Sequence, residues 1–334
     1  MTSPSALYDR LQSEASTVLI GNEEVLRHIT VAMLTRGHVL LEGVPGVAKT
    51  TIATLVANAT DLSYSRIQMT PDLLPADITG TTVYHQQSGE FELQKGPVFT
   101  NLVIADEINR APPKTQSALL EAMQERQVSI EGSTLSLPTP FTVVATMNPL
   151  EMEGTFELPE AQRDRFQMKL VSELPDEDEE RAILDRFDAD PTLDSSDISQ
   201  VVTRNELLQA RSAVPETYID DSIKEYILSV VRKSREHRNV AHGASPRATL
   251  ALQNAAKALA RIESRDYVIP DDVKGVAVPV LRHRLILNSD AELSQIGTSA
   301  VVDEILSSVT PPGTSSDRRP GGAETAVGDG GSEL

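Results

Sequence analysis

The run Val39-Leu40-Leu41-Glu42-Gly43-Val44-Pro45-Gly46-Val47-Ala48-Lys49-Thr50-Thr51 decides the fold. An apolar stretch ends in a Gly-Pro-Gly turn, and a Lys-Thr pair opens the next segment. This is the pattern of a buried strand that leaves through a phosphate-binding loop into a helix. Two glycines let the loop curl so that its N–H groups face inward. A helix starting near Lys49 adds its positive dipole end, and Lys49 reaches the β- and γ-phosphates. Thr50 offers a hydroxyl to Mg²⁺. Ala48 stands at the sixth loop position, where the general pattern G-x-x-x-x-G-K-[ST] has glycine, which weakens the motif taken alone.

A second segment supports it. Leu102-Val103-Ile104-Ala105 is a β-branched apolar run that ends in Asp106-Glu107. A buried parallel strand presents acids at its C-terminal edge in this way, on the rim where open α/β sheets bind ligands. The two acids divide the work, Asp106 in the Mg²⁺ shell and Glu107 orienting the attacking water. Together the two segments predict ATP or GTP hydrolysis. Asn148, at the end of the strand candidate Phe141–Met147, lies on the same rim and can help place that water. Arg163 and Arg165 precede another strand candidate, and either guanidinium could neutralise γ-phosphate charge.

Strand candidates at 39–41, 64–69, 102–107, 141–147 and 166–171 alternate with helical patterns, including 21–36 and about Pro113 to Arg126. Alternation of this kind predicts a parallel five-stranded sheet with helices on both faces. Two β-hairpins interrupt it, one around Ser88-Gly89 and one around Gly132-Ser133. Beyond Pro175 the pattern turns helical. Thr203-Arg204-Asn205-Glu206 is a capping box, Ser245-Pro246 an N-cap with proline at the first helical position, and the acidic run 176–180 the solvated start of a helix. The expected division is an α/β domain over 1–174, a helical lid over 175–310 and a disordered tail over 311–334, rich in Gly, Pro, Ser and acids.

Composition sets limits. The chain has 334 residues, 40% apolar, with no cysteine and no apolar run long enough to span a membrane, which reads as cytoplasmic. Its net charge of −19 works against generic nucleic-acid binding. The acid surplus with few lysines is similar to that of proteins from high-salt cytoplasm. The six histidines are scattered, with no pair at i, i+3 or i+4, and read as structural or surface residues rather than zinc ligands.

Taken in order, the phosphate loop, the run Ala105 to Gln116, Ala145-Thr146-Met147-Asn148-Pro149, Leu158-Pro159-Glu160-Ala161-Gln162, Asp164-Arg165-Phe166 and Ser245-Pro246-Arg247 resemble the MoxR family of AAA+ ATPases over roughly residues 5–310. Alanine at the sixth loop position is usual in that family. Arg163 departs from it, because an apolar residue is commoner there. The resemblance implies a P-loop AAA+ core with hairpin inserts that face client proteins, an all-α lid, and a ring, usually a hexamer, with ATP and Mg²⁺ between subunits. It implies that residues 43–51 and Asp106 bind nucleotide and metal, that Glu107 activates water and that Asn148 is a first sensor. Arg165 would be a finger acting on the neighbour's site, and Arg247, at a helix start where the dipole disfavours it unless an anion such as the γ-phosphate compensates, a second sensor. Ile20-Gly21 resembles the adenine-contacting segment. The implied function is remodelling that assembles or activates partner proteins, often with a von Willebrand factor A-type partner. A magnesium-chelatase-like ATPase subunit, a nucleic-acid motor or helicase loader, and a nucleotide-binding scaffold that does not turn over are the alternatives.

Overall fold

The computed structural model describes residues 2–87, 89–149, 154–190 and 197–313. Strands β1 (Val39–Glu42), β2 (Tyr64–Gln68), β5 (Leu102–Asp106), β8 (Thr142–Met147) and β9 (Met168–Val171) form one parallel sheet, ordered β2-β5-β8-β1-β9. The runs of β1, β5 and β8 are buried almost throughout because both faces are covered there, and alternate side chains serve different cores, whereas the edge strand β2 is largely exposed. Val39, Leu41, Leu102 and Ile104 face one cluster, while Leu40, Val103, Ala105 and Val143 face the other. The first cluster runs on without interruption into the helices beyond residue 200, ending at Val301 and Ile305.

The expected hairpins are present. Strands β3 (Gly80–His85) and β4 (Glu90–Lys95) pair antiparallel, as do β6 (Gln127–Ile130) and β7 (Ser133–Ser136). The second turn is made by Glu131 and Gly132, both at positive φ, so Ser133 belongs to β7 rather than to the turn. Adjacent left-handed residues match the right-handed twist of the flanking strands. On the first hairpin Tyr84 and Phe91 stay exposed, with ring centroids 5.1 Å apart across the ladder. Ser88 lies outside the described residues.

Past β9 the chain is helical, with helices Glu177–Ala189, Arg204–Ala213, Asp221–Glu236, Pro246–Ile262, Pro270–Leu281, Ser289–Leu293 and Thr298–Ser308. Asp176 caps the first through a full capping box, and Thr203 does the same for the second. Ser245 does not cap with its side chain, and its Oγ is buried without a partner among the described residues. Two short strands, β10 (Val240–His242) and β11 (Ile286–Leu287), add an antiparallel patch to the helical region. Three and two residues are too few for a period to be read. The tail from 314 onward lies outside the described residues. Among those described, no helix is long and apolar enough to cross a membrane.

His38 pins three elements together. Its Nδ1 accepts the Val143 N–H at 2.9 Å, which leaves Nε2 to donate to the Met123 carbonyl at 3.1 Å. Burial drives its pKa down to about 4. The unfolded chain therefore binds the proton first as pH falls. The neutral ring contributes fully above about pH 6.5, and its contribution of roughly 3 kcal/mol is lost by about pH 4. The wild type's advantage in unfolding free energy over His38→Gln should shrink by that amount between pH 7 and 4, measured by denaturant titration.

Candidate functional site

The loop between β1 and the helix Lys49–Ala59 takes the shape that its residues require. A Cβ on Gly43 would meet the Ser172 carbonyl oxygen at 2.6 Å and Val47 Cγ2 at 2.8 Å, so only glycine fits. Ala48 sits at φ 56°, ψ 21°. That is the left-handed conformation for which the general pattern keeps a glycine, and alanine holds it at a cost of roughly 1–2 kcal/mol. Lys49 begins the helix and bends its Nζ back to the carbonyls of Gly43 and Val44, at 2.5 and 2.7 Å.

Thr50, one residue on, joins the loop to the acidic strand end. Its Oγ1 donates to Asp106 Oδ1 at 3.0 Å, and Thr146 of β8 donates to the same oxygen at 3.2 Å. The other oxygen of Asp106 takes Arg66 Nε at 2.5 Å. Asp106 is 2% exposed, so its charge is compensated by contact rather than by water. Glu107 comes next at φ 57°, a conformation that strains a non-glycine residue. Its N–H donates to Thr146 Oγ1, and its carboxylate takes Gln68 Nε2 at 2.8 Å and Arg110 Nε at 3.3 Å. Arg66 and Gln68 were not singled out from the sequence, and Arg110 and Thr146 stand within its motif runs without an assigned role. Arg66 and Gln68 share a face of β2 two residues apart, but which acid they meet depends on β2 lying beside β5, with Gln68 opposite Asp106.

Asn148 closes the row at the end of β8. It is buried and lines a cavity of about 450 Å³ with Asn109, Arg163, and the ion pair between Glu42 and Lys169. Ile20-Gly21 is brought to the loop by Ser172, whose Oγ lies 2.8 Å from Asn22 Oδ1 and 2.9 Å from the Val47 carbonyl oxygen.

The two arginines before β9 part company. Arg163 turns into the cavity that holds Asn148, where its buried Nε has no partner among the described residues. Arg165 is half-buried and makes no side-chain hydrogen bond or ion pair among the described residues. Arg247 lies in the first turn of Pro246–Ile262, and the anion it meets there is Asp164, with NH1 3.6 Å from Oδ2. A carboxylate one residue from Arg165 thus stands within ion-pair distance of this largely exposed arginine. Asp164 also takes Arg284, a buried guanidinium whose pKa is lowered by desolvation and partly restored by the carboxylate.

A phosphate loop leaving β1, a carboxylate pair at the end of the next-but-one strand β5, a polar residue ending the central strand β8 between them and a helical region docked on the sheet are the architecture of an AAA+ ATPase. Residues 38–168 match the model of the ATPase family associated with various cellular activities, and residues 232–305 match the AAA lid domain. Chaperone MoxR1 of Mycobacterium tuberculosis is 44% identical over 313 residues, 91% of this chain and 82% of that one. Protein MoxR of Methylorubrum extorquens is 31% identical, with 90% and 92% covered. A solved structure from Cytophaga hutchinsonii is 41% identical and covers 92% of this chain and 96% of its own, with a TM-score of 0.84. The chain belongs to the MoxR family of AAA+ ATPases.

Proposed function

We propose that this protein is a Mg²⁺-dependent ATPase that works as one subunit of a ring, usually hexameric in its family, and uses the cycle to remodel partner proteins. The observation that carries the chemistry is the 3.0 Å bond from Thr50 to Asp106, which fuses the phosphate loop to the acidic strand end. The site suits a divalent cation. Asp106 is buried and sets a carboxylate oxygen beside the loop hydroxyl, while Arg66 occupies its other oxygen. Mg²⁺ takes oxygen ligands of the carboxylate, hydroxyl and phosphate kind, so Thr50 and Asp106 are the residues that would hold it. Bound there, it would neutralise charge on the phosphates.

The residues of the chain do the rest. Backbone N–H groups of Val44 and of residues 46–49 cradle the phosphates, Pro45 having none to give, and Lys49 leaves the carbonyls of Gly43 and Val44 to meet them. Ile20 and Gly21 contact the base, and Thr51 continues the loop's grip in the first helical turn. Glu107 accepts the proton of the attacking water, its carboxylate being held at the rim by Gln68 and Arg110. Asn148 helps to orient that water. Arg165, without a side-chain partner among the described residues of its own subunit, reaches the neighbour's γ-phosphate, and Arg247 senses nucleotide state from the lid.

Remodelling is supported by one relative being named a chaperone and by the exposed Tyr84–Phe91 pair on the first hairpin, an apolar patch suited to a client chain. A partner with a von Willebrand factor A-type domain fits the family. Glu107→Gln is the direct test. It should retain ATP and Mg²⁺ while hydrolysis slows roughly 10²-fold or more, as loss of a general base does, and the ATP-locked form should retain clients that the wild type releases. Wild-type turnover in that variant would move the catalytic base to another residue.

A further inference from the structure

Arg284 lies between the helix Pro270–Leu281 and β11, and its side chain is 4% exposed. A guanidinium has five N–H donors in a rigid fork, and burial makes each unpaired one costly. Here all five are matched. Nε donates to Asp164 Oδ1 at 2.7 Å. NH1 serves the carbonyls of Gln167, at 3.0 Å, and of Val280. NH2 serves those of Phe166, at 2.8 Å, and of Asp164, at 3.4 Å. Four of the five acceptors therefore belong to residues 164–167, the segment that carries Arg165, and His283 Nε2 reaches the same Phe166 carbonyl at 3.0 Å. Arg165 has no side-chain bond of its own among the described residues, so its position is set by the backbone that Arg284 holds.

We propose that Arg284 is a positioning residue for catalysis at the neighbouring subunit's site, fixing the Asp164–Gln167 segment so that the lid region dictates where Arg165 is presented. The inference rests on the reading of Arg165 as a finger acting in trans. A group that stabilises a transition state must be held to a fraction of an ångström, and misplacement by about 1 Å costs on the order of 10²-fold. A lysine at position 284 keeps the charge but offers three donors on a flexible stem instead of a planar fork. Arg247 shares the Asp164 carboxylate, so movement of the lid helix start is felt by the same clamp.

The test uses full-length chains carrying Arg284→Lys, with Asp164→Asn as a second way of opening the clamp. Each should bind a fluorescent ATP analogue with Mg²⁺ within about twofold of wild type, yet hydrolyse ATP on the order of 10²-fold more slowly. Added to Arg165→Ala, Arg284→Lys should slow turnover no further, because the two act through one group. Mixed with equal Glu107→Gln, it should regain activity, since its own sites are intact and the partner supplies sound fingers. Loss of nucleotide affinity, or an additive loss in the double variant, would overturn the proposal by showing that Arg284 supports the fold or its own site. Recovery for Arg165→Ala with Glu107→Gln but none for Arg284→Lys would sink the inference alone. Failure of both mixtures despite subunit exchange removes the finger reading and this inference with it.

Discussion

Arg165→Ala is expected to bind ATP as the wild type does and to hydrolyse it roughly 10³-fold more slowly, the scale on which an arginine finger acts. Binding should survive because Arg165 makes no side-chain bond to the loop among the described residues, whereas Lys49, Thr50 and Asp106 are bonded within the loop and its adjoining strand end. Glu107→Gln has the complementary defect. Mixed at equal ratio in a randomly assembled ring, about a quarter of the interfaces would pair an intact Glu107 with an intact Arg165. Activity well above either parent should return, read as phosphate release at constant total protein. Arg163→Ala serves as the control. Arg163 faces the cavity of its own subunit beside Asn148, so its loss should not complement Glu107→Gln. A mixture with Arg163→Ala that recovers while the Arg165→Ala mixture stays silent would exchange the two roles.

Lys49→Ala should weaken ATP binding on the order of 10³-fold. On the proposed reading the ammonium would make charge-assisted bonds to two phosphates at roughly 1.5–3 kcal/mol each, and about 1.4 kcal/mol is a factor of ten. The same group bonds the carbonyls of Gly43 and Val44, so its loss also loosens the loop. Titration with a fluorescent ATP analogue checks the affinity. Wild-type affinity in this variant would place the phosphates elsewhere.

The sheet strands, the phosphate loop, the acid pair and both hairpins are legible in the sequence because each depends on a local rule. Alternate residues of β1 and β5 serve two different cores, so the runs are apolar throughout, and the Gly-Pro-Gly turn before Lys49 permits few conformations. Even the alanine at position 48 carries its meaning locally, because it takes the left-handed conformation of the glycine it replaces. A capping box such as Thr203 to Glu206 is equally local, since donor and acceptor lie three residues apart.

What only the tertiary structure decided involves partners far apart in the chain. Arg66 and Asp106 are 40 residues apart, and Arg284 and Asp164 are 120 apart. No periodicity encodes such pairs, because they depend on strand order and on how the helical region docks. The same holds for the anion beside Arg247, for the small β10–β11 patch and for the contrast between Arg163 and Arg165. By itself, the sequence determined a loop that can hold phosphate, a strand that can present acids, and the fold that joins them. Which guanidinium sits on Asp106, which carboxylate lies beside Arg247 and which arginine turns into the cavity beside Asn148 were decided by packing, because a charge pairs with whatever partner the fold brings within about 3–4 Å and a buried one such as Asp106 must.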